Sequence, residues 1–436
     1  MLRRLRYLTI FLLIFLFFQF YKFVRIRITS LDLPKGKIVF SSQIDGDNEI
    51  YTMNINGSDF KQLTKNSATK ISINIAIDEE PSFSPDGKKV VFASGRQGPE
   101  NRRILTDIKG KPIGQEFSGG TSDIYIMDAD SRNQTPLTYN TLSSHPFFAP
   151  DARKIVFDSL LADNHNLKKM IDIDGSGERI LNFGGGQVEF SSDGKKMFDN
   201  FQYDISIVDI GGTNRKKLTH FNDYKQTKLG IKFAISPDNK KLTVITSETG
   251  KMYRPDNIDD FYDIFEFYAM NIDGSNLEKI YRIDGSISDR FCGNDVLKSR
   301  IGHIWQFKFS PDGKYIIFYA GFIYKQGIYL LNLENRSVIN LTGEKENWDE
   351  ILDFTFTPDG KRIVFIADIY PKNYYLHAVI LRNIKAYINY LLFWRSTPYY
   401  DNKYICIMDI DGKNFRKITK LPIGAELGRD FIHWEK

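Results

Sequence analysis

Six polar residues stand at matching places in a repeated motif of this chain, and some of them could do chemistry. Each lies three positions before the apolar residue that opens the motif. The set is Glu80, His145, Gln187, Lys232, Gln306 and Asp353. Carboxylates and imidazoles bind metals and act as acids or bases, so Glu80, His145 and Asp353 form a partial metal-binding set. Lys232 argues against a metal, because a cation beside a divalent ion is unfavourable.

Beside these residues, the sequence contains no established catalytic motif. Gly-x-Ser-x-Gly, His-Glu-x-x-His, P-loop and dinucleotide-binding patterns are all missing. The acidic run from Asp45 to Glu49 alternates oxygen ligands as calcium loops do, but it lacks the rest of such a loop. Cys406 is expected to be a small buried residue that forms no disulfide with Cys292. We predict no cofactor, and we leave open whether a metal binds and whether the protein is an enzyme.

The repeat itself supplies the elements that position these residues. Phe83 to Lys88 reads Phe-Ser-Pro-Asp-Gly-Lys, and related versions begin at Phe148, Phe190, Ile235, Phe309 and Phe356. Pro-Asp-Gly favours a tight turn, and the alternating apolar runs on both sides predict strands. A second strand signature, such as Ile124 to Asp128, and a closing pair, such as Leu137-Thr138, complete the unit. Strand signals repeated in a fixed order predict an all-β propeller.

Each unit should form one blade of four antiparallel strands, A to D, and the blades can be counted. In the unit around Phe83 the strands are expected at 81–84, 89–93, 123–128 and 135–138. Six motif copies predict six blades. The N-terminal region adds strands B, C and D at 37–41, 49–54 and 61–64, and the C-terminus adds a lone A strand at 430–434. Pairing of these N- and C-terminal strands predicts a seventh, closing blade, with Trp434 in the place of Phe83.

The motif resembles that of the TolB-like β-propeller family, whose units are also called WD40-like propeller repeats. The resemblance covers roughly residues 34 to 436 and implies a propeller fold. It departs from TolB in one respect, because TolB has an N-terminal α/β domain before its propeller. Here about thirty residues of membrane-like sequence stand in that place. The partners of TolB are therefore not expected for this chain.

The N-terminal segment predicts attachment to a membrane. Residues Tyr7 to Val24 are almost entirely apolar, and as a helix they would span about 27 Å, close to the hydrocarbon core of a bilayer. Basic residues flank both ends, so the charges do not decide the topology. We expect an uncleaved signal anchor at 1–28, a linker at 29–36 and a propeller at 37–436, exported to the periplasm or the cell exterior. The alternative is a cleaved signal and a secreted product.

All the long connections should leave one face of the propeller. They are the B–C loops Ser94–Ser122, Ser247–Asp263 and Asp368–Lys403, together with the D–A connection Tyr281–Ile304. We call the face that they share the B–C face, and the opposite one, where the short turns and the tether lie, the A–B face. Within the last loop, residues 372–397 have apolar residues at helical spacing and predict an amphipathic helix.

Aromatic residues concentrate in these loops, and aromatic side chains dominate the energetics of many interfaces. The predicted binding residues are Tyr253, Phe261, Tyr262, Tyr374, Tyr375, Trp394, Tyr399 and Tyr400. The simpler interpretation is that the loops only pack on one another. The net charge of +5 is mild and forms no basic stripe, so nucleic acid is not an expected partner.

The functional hypothesis is a membrane-tethered scaffold that binds a protein or an envelope polymer of unknown identity through its B–C face. The alternative is a metal-dependent hydrolase of the lactonase type. Its site would lie at the mouth of the central channel, where the six aligned residues are expected. A binding scaffold should present a broad aromatic rim, whereas an enzyme should bring acid groups together at the channel.

Overall fold

The computed structural model describes residues 33, 35–44, 48–65, 77–96, 122–139, 141–160, 166–183, 186–201, 204–221, 228–253, 259–284, 303–322, 325–342, 347–370, 402–422, 424–427 and 431–435. These residues form an all-β, seven-bladed propeller, in which every blade is a four-stranded antiparallel sheet. No helix occurs within this described part of the chain.

The first four blades contain the N-terminal half of the chain and, in blade 1, the C-terminal strand. Blade 1 consists of β28 (Ile432–Trp434), β1 (Gly36–Ser42), β2 (Glu49–Asn54) and β3 (Lys61–Gln62). Blade 2 consists of β4 (Asp78–Phe83), β5 (Lys89–Ser94), β6 (Asp123–Asp128) and β7 (Thr135–Pro136). Blade 3 consists of β8 (Ser143–Phe148), β9 (Lys154–Leu160), β10 (Asn166–Asp172) and β11 (Arg179–Phe183). Blade 4 consists of β12 (Val188–Phe190), β13 (Lys196–Phe201), β14 (Asp204–Asp209) and β15 (Lys216–Lys217).

The remaining three blades follow in the same order. Blade 5 consists of β16 (Lys228–Ile235), β17 (Lys241–Tyr253), β18 (Asp259–Asn271) and β19 (Glu278–Asp284). Blade 6 consists of β20 (His303–Phe309), β21 (Tyr315–Phe322), β22 (Lys325–Asn332) and β23 (Val338–Asn340). Blade 7 consists of β24 (Asn347–Phe356), β25 (Arg362–Tyr370), β26 (Lys403–Asp409) and β27 (Arg416–Lys420).

The A–B turns explain the Ser-Pro-Asp-Gly motif. In blade 2 the Ser84 hydroxyl donates to Asp86 at 2.7 Å and accepts from the Lys89 amide at 2.9 Å. Gly87 takes the left-handed conformation with a φ of 68°. The same hydroxyl-to-carboxylate bond recurs in blades 4 to 7, between Ser191 and Asp193, Ser236 and Asp238, Ser310 and Asp312, and Thr357 and Asp359. The turn prediction is therefore confirmed down to the side chains.

The closing Leu-Thr pair anchors the start of strand C. In blade 2 the Thr138 hydroxyl accepts from the Ile124 amide at 2.9 Å and donates to Asp123 at 3.0 Å. Blade 4 repeats both bonds with Thr219, and blade 1 replaces the aspartate with Glu49. Because strand D is short, this hydroxyl holds it against strand C where few ladder bonds are available.

The core lies between blades, because the strands carry apolar side chains on both faces of each sheet. One apolar cluster joins Val39 and Ile50 of blade 1 to Phe83 and Val90 of blade 2, and all four side chains are buried. Strand B carries a fully buried phenylalanine in six blades: Phe40, Phe92, Phe157, Phe198, Phe318 and Phe365. Burying each such side chain stabilises the fold by about 1.5–3 kcal/mol.

The C-terminal strand pairs with the N-terminal one, in a different register from the one expected. Gly36 stands opposite Trp434, and Ile38 stands opposite Ile432. In blade 2 the equivalent of Ile38 is Val90, whose partner is Phe83. The position of Phe83 is thus taken by Ile432, so the prediction for Trp434 was wrong by two residues. The Trp434 ring instead packs against Gly36, where a Cβ would meet Cε3 at 2.9 Å.

Two predicted loops are partly strands. The region Ser247–Asp263 was expected to be a loop, but β17 and β18 stay paired to Tyr253 and Asp259. Likewise β19 continues to Asp284, into the predicted connection Tyr281–Ile304.

The predicted membrane anchor and the predicted helix at 372–397 both lie outside the described residues. Among the residues that are described, no helix is long and apolar enough to cross a bilayer. Cys406 is fully buried in β26, which confirms its expected role as a small core residue.

Candidate functional site

The A strands form the inner edge of the ring, since β4 contacts β8 and β16 contacts β20 across blade boundaries. Several of them bulge near the B–C face. The pairing register shifts between Glu79 and Ser82 in β4, and between Ser144 and Phe147 in β8. Such bulges redirect side chains and are frequent beside functional sites.

Glu80 and His145 occupy these two bulges in the left-handed region, with φ angles of 56° and 52°. A non-glycine residue there costs roughly 1–2 kcal/mol. The strained backbone brings the two side chains together. His145 Nε2 lies 2.9 Å from Glu80 Oε1, and the His145 amide donates to Glu80 Oε2 at 2.5 Å. Two residues predicted to line the channel mouth are thus in direct contact between blades 2 and 3.

The contact continues into a chain of charged groups. His145 Nδ1 lies 3.0 Å from the Ser144 hydroxyl and 3.6 Å from Asp158 Oδ2. The other oxygen of Asp158 accepts from Lys168 Nζ at 2.5 Å. Lys168 is almost fully buried, whereas the His145 side chain is 67% exposed. We call Glu80, His145, Asp158 and Lys168 the inner-strand cluster.

The cluster shifts the proton affinities of its members. The hydrogen bond that the His145 ring donates to Glu80 raises the pKa of His145 above 6.5, although burial opposes the shift. Burial acts to raise the pKa of Glu80, but its hydrogen bonds with His145 hold it below the ordinary value. The pKa of neighbouring Glu79 is raised by burial and by the nearby charges of Glu80 and Glu426. His145 and Glu80 therefore stabilise each other as a charged pair.

The other four aligned residues do not join this cluster. The Gln187 amide donates to the Phe233 carbonyl at 2.8 Å, so it ties blade 4 to blade 5. Lys232 is half-buried, and desolvation lowers its pKa. Gln306 is exposed. Asp353 is largely buried and accepts from Lys308 Nζ at 3.1 Å.

The chemistry open to the cluster is proton transfer and polar binding. A histidine between two carboxylates can hold or move a proton at its ring nitrogens. Within the described residues, no group of three or more His, Cys, Asp or Glu side chains is arranged to bind a metal ion. Both ring nitrogens of His145 already face polar partners, so this region does not fit a metal site.

Sequence reasoning missed several members of this region: Glu79, Asp158, Lys168 and Glu426. Asp158 and Lys168 stand directly opposite each other on β9 and β10. Pairing the hairpin residue by residue would have found this ion pair from the sequence. The approach of Glu426 could not be found that way, because it depends on the segment that pairs with Ser41.

The predicted aromatic binding residues are less completely described. Tyr253 ends β17, while Phe261 and Tyr262 lie on β18, in the part of the hairpin beyond the blade. Tyr374, Tyr375, Trp394, Tyr399 and Tyr400 lie outside the described residues. Whether these eight residues bind a partner stays a prediction.

Comparison with known proteins supports the fold. No protein-family model matches the chain, and no curated protein gave a significant match. A solved oligogalacturonate lyase in complex with manganese is similar at 12% identity, over 77% of this chain and 84% of that one, with a TM-score of 0.50. TolB from Acinetobacter baumannii matches at 14% identity, over 70% and 63%, with a TM-score of 0.38. A periplasmic gluconolactonase from Pseudomonas aeruginosa matches at 10% identity, over 91% and 97%, with a TM-score of 0.46.

These identities are low, so the comparison supports the propeller fold alone. TolB and other propellers are structural neighbours of the chain, whereas membership of the TolB family stays a prediction.

Proposed function

We propose that this protein is a membrane-tethered propeller that binds a protein or an envelope polymer on its B–C face. The observation that supports this best is the arm formed by β17 and β18. Strand β16 pairs with β17 only as far as Glu248, yet β17 and β18 remain paired through Tyr253 and Asp259. Ordering an arm beyond the blade costs conformational entropy, and a binding role would account for that cost.

The arm rises from the same end of the blades as the inner-strand cluster. Strand β4 begins opposite the end of β5, where Asp78 faces Ser94, and β17 likewise ends towards the B–C face. The proposed surface therefore combines an aromatic arm with a polar centre. The blade 7 connection between Tyr370 and Lys403, which contains Tyr399 and Tyr400, leaves the same end.

We propose that residues 7–24 hold the protein in a membrane and that the propeller is exported. Support comes from the apolar segment and from β1, which begins at Gly36 on the A–B face. A short linker from that side would leave the B–C face pointing away from the bilayer. N-terminal sequencing of the mature protein tests the anchor, and a start beyond Val24 would contradict it.

Site-specific photo-crosslinking in the native envelope tests the binding face. A photoreactive residue in place of Tyr253 or Tyr399 should give a discrete crosslinked product with one partner. The matched control is Lys240, an exposed residue of the A–B turn in blade 5. Equal crosslinking from Lys240, or none from the B–C face in a folded protein, would contradict the proposal.

A hydrolase with its centre at the channel mouth is the second candidate, and the position of His145 between two carboxylates favours it. Such an enzyme would use the protonated imidazole as a general acid. A panel of lactones and esters, assayed with the wild type and with His145→Gln, separates the two candidates. Turnover that His145→Gln abolishes in a folded protein would favour the enzyme, and no turnover would favour the scaffold.

A further inference from the structure

The two ring nitrogens of His145 face carboxylates of two different blades. Nε2 faces Glu80 of blade 2 at 2.9 Å, and Nδ1 faces Asp158 of its own blade at 3.6 Å. A neutral imidazole has a single N–H, whereas an imidazolium has two. The two carboxylates can therefore both face a ring N–H only when the histidine is protonated. The geometry thus depends on a proton.

We propose that His145 is a proton-controlled link between blades 2 and 3 at the B–C end of their inner strands. In the protonated form, Nε2–H donates to Glu80, and the ring charge attracts both carboxylates. In the neutral form, Nε2 keeps its proton and still donates to Glu80. Nδ1 then becomes an acceptor for the Ser144 hydroxyl at 3.0 Å. The charge attraction to Asp158 is then lost, and the contact with Glu80 becomes a hydrogen bond from a neutral ring to a charged carboxylate.

The surroundings of His145 favour its charged form. Strand β4 supplies Glu79 and Glu80, strand β9 supplies Asp158, and the segment before β28 brings Glu426 near Glu79. The one nearby cation among the described residues is Lys168, which is committed to Asp158 at 2.5 Å. Asp78 is neutralised separately by Arg96 at 2.5 Å. The net local charge is negative, which opposes loss of the proton.

Loss of the proton should loosen the link rather than break it. The His145 backbone amide donates to Glu80 Oε2 in either state of the ring. The side-chain bond is the part that weakens, because the neutral ring no longer adds its own positive charge to the attraction for the Glu80 carboxylate. The expected response is a local opening of the B–C ends of β4 and β8. Neither the link nor its test depends on what the B–C face binds.

The pH range follows from the direction of the shift. A histidine whose pKa is raised in the folded protein contributes its full stabilisation below its ordinary value of 6.5. That contribution is lost as the pH rises through the folded pKa. The link should accordingly be closed in mildly acidic conditions and loosen as the pH becomes alkaline.

Titration of the histidine rings by NMR in the full-length protein tests the charge pairing. His145 is identified by the signal missing from His145→Gln and should titrate above pH 6.5. In Glu80→Gln the midpoint should fall by about one pH unit, the size expected for loss of an adjacent opposite charge. Glu189→Gln, on another inner strand, is the matched control. A wild-type midpoint at or below 6.5, or one unmoved by Glu80→Gln, would overturn the proposal.

Hydrogen exchange tests whether protonation of His145 holds the two blades together or only changes the pKa of the ring. Amides at 78–83 and 143–148 should lose protection between pH 6 and pH 8, after correction for intrinsic exchange. The inner strands of blades 6 and 7, β20 and β24, serve as internal references. The extra loss should disappear in His145→Gln, or in Glu80→Gln if the first variant fails to fold. Equal loss in all four strands would refute the proposal.

Discussion

The two ends of the inner strands follow different rules. At the A–B end, most blades repeat one network in which a Ser or Thr hydroxyl donates to an aspartate two residues on, as Ser84 does to Asp86. At the B–C end the arrangements differ from blade to blade, with Glu80 on His145 in one place and Lys308 on Asp353 in another. The repeated end is what the fold requires, and the varied end is where a particular function can be built.

Backbone conformation separates the two ends in the same way. The A–B turns place Gly87, Gly194, Gly313 and Gly360 at positive φ, where glycine fits without strain. The B–C end places Glu80 and His145 there instead. Strain of this kind persists where the surrounding structure enforces it, and it is common at functional sites. Changes at the A–B end should therefore alter stability, and changes at the B–C end should alter binding or pH response.

The largest loss of stability is expected where the chain ends meet. Phe431 is 1% exposed, and its carbonyl accepts from the Val39 amide at 2.9 Å. Phe431→Ala should lower the free energy of unfolding by about 3–5 kcal/mol, as truncation of a buried aromatic ring does. Chemical denaturation measures it.

Trp434→Ala provides the matched control, because Trp434 ends β28, the strand that follows Phe431, and is only half-buried. Its loss should be smaller than that of Phe431→Ala. Equal stability of Phe431→Ala and the wild type would show that the joined ends do not support the ring.

Most of the fold was predictable because its determinants are local. The Pro-Asp-Gly turns and alternating apolar runs predicted the strands of blade 2 to within a few residues, since turn chemistry and strand period act over short distances. The register of β28 was not predictable from Trp434 alone. It depends on Phe431 entering the core, which is a contact between the two ends of the chain.

Gly87→Ala should give the next largest loss of stability, and it tests the role of the A–B end directly. Gly87 has a φ of 68°, which costs an L-residue roughly 1–2 kcal/mol. A Cβ at Gly87 would also overlap the ring of His433 on β28. The thermal midpoint should fall by several degrees, while His145 titrates as in the wild type. Gly194→Ala, which has a similar φ and more room, should lose less. A shifted His145 midpoint in Gly87→Ala would contradict independence of the two ends.

Blade 3 departs from the turn pattern, and restoring the pattern should stabilise the protein. Ala152 occupies the place of Gly87 with a φ of 56°. Ala152→Gly removes the strain of that conformation, so the free energy of unfolding should rise by about 1 kcal/mol. The greater freedom of glycine in the unfolded chain offsets part of this gain. A decrease in stability would show that Ala152 is not strained.

The candidate site was only half predictable. Aligned positions in the repeat indicated Glu80 and His145, because residues at the same distance from the motif occupy equivalent positions on the inner strand of every blade. They could not indicate that bulges in β4 and β8 bring those two side chains into contact. Nor could they separate Glu79 from Glu80, since two adjacent carboxylates look equivalent in the sequence and acquire opposite environments in the fold.

That pair provides the smallest and sharpest expected effect. Burial and the charges of Glu80 and Glu426 raise the pKa of Glu79, so its ionised form destabilises the folded protein above pH 4.5. Glu79→Gln should therefore raise stability at pH 7 by about 0.5 kcal/mol. The gain should disappear as the pH falls and Glu79 becomes protonated.

Glu80→Gln should act in the opposite direction, because its hydrogen bonds to His145 hold the pKa of Glu80 below the ordinary value despite burial. The stabilisation by the Glu80 carboxylate is present above pH 4.5 and is lost as the pH falls through the lowered pKa. Denaturation curves of both variants at pH 7 and pH 4 measure the two signs. Destabilisation of both variants at pH 7 would mean that the two carboxylates share one environment, and that His145 does not select between them.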